Sequence, residues 1–126
     1  MMRLVVLFLS VIPALVFGQT SKEVLAEALF EEEANGNLKG ATEKYESLLK
    51  VYENERKIAA IALYRLAGIA KKKGDDKREA AIYRRLITEF AGVEPQEWLA
   101  RQELEAMGLK LPVAGDEVQG LGGAFD

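Results

Sequence analysis

The chain has 126 residues, with 17 Lys and Arg against 20 Asp and Glu, a formal net charge of −3, and neither Cys nor His. That mild acidity lacks the basic excess of a nucleic-acid-binding protein. The missing residue types exclude disulfides, thiolate nucleophiles, a lipid anchor on cysteine, His-based triads and the usual zinc sites, and no cofactor or metal is expected.

The first segment, MMRLVVLFLSVIPALVFG, carries one Arg, then an uncharged apolar run, then small residues before position 19. This pattern predicts a signal peptide over residues 1–18, cut after Gly18. The run is short for a membrane span, and Pro13 interrupts it. The expected product is exported, periplasmic or extracellular, soluble, and without stable membrane insertion.

From Ser21 to Met107 the apolar spacing is helical. Val24, Leu25, Ala28 and Leu29 share one face of a first helix, with Thr20 or Ser21 as N-cap and Asn35-Gly36-Asn37 as the stop. A second helix, 38–53, aligns Leu38, Ala41, Tyr45, Leu48, Leu49 and Tyr52. A third, 56–73, aligns Ile58, Ala62, Leu63, Leu66, Ala67 and Ala70, and ends on three lysines and Gly74. A fourth, 77–91, buries Ala80, Tyr83, Leu86, Ile87 and Phe90. A fifth, 95–107, opens on Pro95 and closes on Gly108. Residues 109–126, rich in glycine and without periodicity, read as a flexible tail.

Two of these helical pairs are one unit written twice. Aligning Gly36 with Gly74 also pairs Tyr45 with Tyr83, Leu48 with Leu86, Leu49 with Ile87, and Leu25 with Leu63, a period of 38 residues. Such a helix–turn–helix unit cannot bury its apolar face alone, so neighbours stack. Leu66-Ala67 in a first helix, Gly36 and Gly74 at the turns, and Ala41, Tyr45 and Leu48 in a second helix resemble the tetratricopeptide repeat (TPR) family. Glu79 departs from it by occupying a position where a small residue is expected, and both units lack the terminal Pro. The longer period and the runs ALYRLAGIAKKKGD and IYRRLITEF resemble exported TPR proteins of bacterial envelopes.

The resemblance implies an all-α fold over residues 19–108: two TPR-like hairpins, about 22–53 and 56–91, closed by a capping helix. Trp98, Leu99 and Leu104 of that cap are expected to lie over the second hairpin, with Trp98 as a core plug. It further implies that first helices line a groove for a peptide or partner helix. The candidate partner-binding residues are Glu23, Phe30 and Glu33 from the first unit and Ile61, Tyr64, Lys71 and Lys72 from the second, with Gly68 leaving room for close approach.

No catalytic residue is expected, because Ser21 and Ser47 stand outside any nucleophile motif. The expected function is therefore protein binding or scaffolding. One alternative is a self-associating structural subunit, since an acidic first helix and a basic stretch at 71–85 could attract head to tail. A glycan-processing enzyme using paired carboxylates such as Glu32 and Glu33 is a further alternative.

Overall fold

The structure is a computed structural model that describes residues 19–51 and 54–112. Residues 1–18, Tyr52, Glu53 and residues 113–126 lie outside it, and with them the predicted signal peptide. The described residues form an all-α fold. Its helices are α1 (Ser21–Glu33), α2 (Leu38–Leu48), α3 (Arg56–Lys72), α4 (Asp76–Glu89) and α5 (Gln96–Ala106). A 3-10 turn, Leu49–Val51, follows α2, so that helix ends earlier than the periodicity suggests.

Local chemistry fixes the boundaries. Thr20 accepts from the Glu23 N–H, and the Glu23 carboxylate accepts in return from the Thr20 N–H, a reciprocal cap that opens α1. Asn37 and Asp75 cap α2 and α4 the same way, through single side-chain acceptors. At the far end of α3, Gly74 adopts φ +73°, its N–H donates to the Lys71 carbonyl, and the Asp75 N–H donates to that of Ala70. Gly108 closes α5 identically, with Leu109 donating to Leu104. These bonds satisfy carbonyls that a helix end otherwise leaves unpaired.

Each helix packs on the next in sequence, and lesser contacts join α1 to α3 and α3 to α5. Arg56 meets Glu89 and Tyr64 meets Tyr83, so α3 and α4 run antiparallel. Ser21 meets Glu55 and Glu33 meets Arg65, so α1 and α3 run parallel. Lys57 with Gln96 and Lys71 with Glu103 set α5 beside α3 in the same sense. The odd helices thus form one layer. Arg78 to Glu46 places α2 and α4 side by side in the other.

The core lies between the layers. Ala28, Ala41, Tyr45 and Leu48 fill its first part, and Ile58, Ala62, Leu63, Leu66 and Ala67 its middle. Tyr83, Leu86, Ile87, Phe90, Ala100 and Leu104 complete it. Alanines sit where helix backbones approach most closely, since a larger side chain there would hold them apart.

Two expectations change. Trp98 is 55% exposed and does not plug the core. Ala100 and Leu104 do so, and a residue two positions before Ala100 points about 200° round the helix from it. Leu109 and Leu111, which the sequence reading assigns to the tail, pack against the core. Moreover, α5 repeats α3: Ala100 and Leu104 stand 38 residues after Ala62 and Leu66, and all four are buried. The fifth helix is a third copy of the first-helix pattern.

Candidate functional site

The odd-helix layer presents one continuous outer face, with α3 in its middle. Ile61, Tyr64, Arg65, Gly68, Lys71 and Lys72 recur along α3 at helical spacing and are exposed or half-buried. On one side Arg65 pairs with Glu33 at 2.9 Å and Lys72 with Glu32 at 3.4 Å, tying α3 to α1. On the other, Lys71 pairs with Glu103 at 3.4 Å and Lys57 with Gln96 at 2.8 Å, tying it to α5. The α3 stripe is a floor between two charged walls.

Gly68 marks the low point of that floor. A Cβ added there would meet no atom within 4 Å, so nothing inside the fold demands the glycine. At the same register position α1 carries Phe30 and α5 carries Ala106. Tyr64 is half-buried, its ring 6.2 Å from that of Tyr83. Burial holds its phenol above the ordinary range, with the Glu103 carboxylate adding to the effect.

The predicted partner-binding residues therefore share the odd-helix layer but not one role. Glu23 is committed to the N-cap of α1. Glu33, Lys71 and Lys72 are held in interhelical ion pairs, whereas Ile61 and Tyr64 form the floor. Phe30 is 59% exposed at the outer edge, beside a cavity of about 380 Å³ that is closed by Lys44 of α2 rather than by α3.

Sequence reasoning missed a set of buried polar groups under the floor. Glu32 is 7% exposed and accepts a 2.7 Å hydrogen bond from the Tyr45 hydroxyl, with Lys72 and Arg65 beside it. Glu79 is 3% exposed, in the slot where a small residue was expected. Its carboxylate lies 3.0 Å from the Tyr83 hydroxyl, which also lies 3.3 Å from Glu103. The two register-equivalent tyrosines thus each meet a buried carboxylate, one on the preceding helix and one on its own. Desolvation first, then the carboxylate neighbours, push both phenols well above their ordinary range. The sequence signal was a Glu at a small-residue position facing a Tyr four residues on.

A cavity of about 360 Å³ opens beside this cluster, lined by Lys71, Asp76, Glu79, Glu103, Ala106 and Met107. Among the described residues no three acidic side chains are grouped to hold a metal ion, and no helix is long and apolar enough to cross a membrane. No family model, curated protein or solved structure matches the chain.

Proposed function

We propose that this chain is an exported binding or scaffolding module of TPR-like construction, whose odd-helix face takes an extended peptide or a partner helix in a bacterial envelope. The observation that carries this reading is Gly68. A glycine inside a helix costs roughly 0.5–1 kcal/mol relative to alanine, and here no neighbour in the fold requires it. Its benefit then lies outside the fold, in letting another chain approach the α3 backbone. The half-buried apolar floor of Ile61 and Tyr64 offers contact area, and the charged walls offer selectivity. The parallel odd helices and the 38-residue register support the TPR-like reading.

The test is selection from a displayed library of random peptides on the purified protein. A shared motif should emerge. Binding of that peptide should fall by about tenfold or more in Gly68→Leu, which fills the floor, and in Lys71→Glu, which inverts one wall. It should survive Lys77→Glu, on the other layer. Failure to enrich any motif, or binding indifferent to both floor and wall changes, overturns the reading.

A further inference from the structure

Among the described residues the stack has two open ends, and they are chemically opposite. At the start, Ala26, Glu27, Phe30 and Glu31 of α1 and Lys44 of α2 surround the cavity of about 380 Å³. Glu46 of α2 points toward α4, where it meets Arg78. Lys44, two positions and about 200° away, faces the opposite side, off the start of the stack. This end is acidic, since Glu23, Glu27 and Glu31 outnumber Lys22 and Lys44, and it carries the exposed Phe30 ring.

At the finish, Asp76, Lys77, Ala80 and Arg84 of α4 join Met107 and Leu109 around a cavity of about 400 Å³. Arg78 reaches back to α2, whereas Lys77 and Arg84 lie about 100° or more round α4, on the side away from α2. Neither Lys77 nor Arg84 makes an ion pair or side-chain hydrogen bond among the described residues. Both flank an apolar patch of Ala80, Met107 and Leu109. One end therefore offers an aromatic ring among carboxylates, and the other a partly apolar cavity whose rim carries Lys77 and Arg84 against Asp76, the two cations making no ion pair among the described residues.

We propose that these ends bind each other between two copies of the chain, with Phe30 of one copy seated on Ala80, Met107 and Leu109 of the next and its glutamates facing Lys77 and Arg84. Such an interface joins two different surfaces, so it extends head to tail rather than closing as a two-fold dimer. It is separate from the Ile61–Gly68 floor, which stays open in every copy. The complementary charges make assembly salt-sensitive, because partly exposed pairs are screened within about 8–10 Å at physiological ionic strength.

Sedimentation of the full chain over a range of concentrations tests this. The wild-type mass should rise with concentration and fall back in high salt. Phe30→Ser removes one end and Lys77→Glu/Arg84→Glu the other, all at exposed positions outside the core. Each variant alone should remain a monomer, with association weakened by about tenfold or more. An equimolar mixture should form a dimer of one copy of each and stop there, since only one matched pair of ends remains. Formation of that dimer also shows that both variants are folded.

Association that survives either change, or a mixture that stays monomeric, overturns the proposal. So does a wild-type protein that is monomeric throughout. If such a monomer begins to associate once residues 113–126 are removed, the chain's own acidic C-terminal segment is the occupant of the basic end, and the proposal fails in favour of that one.

Discussion

Gly68 and Gly74 stand six residues apart in and after α3, yet the structure assigns them opposite energetics. Gly68 lies in helical backbone with open space where a Cβ would go, so Gly68→Ala should stabilise the fold by about 0.5–1 kcal/mol. Gly74 holds φ +73°, where a Cβ is strained, so Gly74→Ala should destabilise it by about 1–2 kcal/mol. Urea denaturation should place the two midpoints on opposite sides of the wild type. The buried phenols make a second prediction at this scale. Tyr45, Tyr64 and Tyr83 all ionise above their ordinary value in the fold, chiefly because burial penalises the phenolate. Unfolded phenols ionise near 10, so this stability is full below about pH 10 and is lost as pH rises through the folded values. Tyr45→Phe should remove the shortest hydrogen bond to the buried Glu32 carboxylate, leaving it Lys72 at 3.4 Å and costing about 1–3 kcal/mol at neutral pH. It should also flatten the alkaline loss, as read from melting temperatures between about pH 8 and 11.

The helices differ in what holds them. α3 is buried along most of its length and touches every other helix, whereas α1 buries only Ala28 and Glu32 fully and packs on the core through half-buried Val24, Leu25 and Leu29. α5 depends on a narrow stripe. Leu104→Ala should cost about 2–5 kcal/mol, because its side chain is fully enclosed. Trp98→Ala, despite the larger side chain, should cost about 1 kcal/mol or less, because more than half of the residue is exposed. Thermal unfolding of the two variants gives the comparison directly. An expectation based on size alone reverses that order, since it weighs hydrophobicity and ignores angular position on the helix. The needed signal was in the sequence: Ala100 and Leu104 repeat Ala62 and Leu66 at the same 38-residue period that relates the hairpins.

At the scale of the whole molecule, the proposed peptide site and the proposed self-association use separate surfaces of the described residues, the odd-helix floor and the two ends. The floor is uncharged at its centre and walled by ion pairs already made within the fold. The basic end carries Lys77 and Arg84, which make no ion pair among the described residues. This division predicts that peptide binding and self-association respond to different substitutions. The sequence by itself determined the number and type of the elements, their glycine stops and most of the core, because helical periodicity and turn chemistry are local properties of the chain. Glu32 and Glu79 are charged residues that local rules assign to solvent, yet Glu32 is buried against Tyr45 of the next helix and Glu79 beside Tyr83, four residues on along its own helix. The tertiary structure alone decided the Glu32–Tyr45 pairing, the burial of Glu79, the exposure of Trp98 and the separation of Phe30 from the α3 floor. Each depends on which way a helix turns toward its neighbours, and that is settled by packing several helices at once.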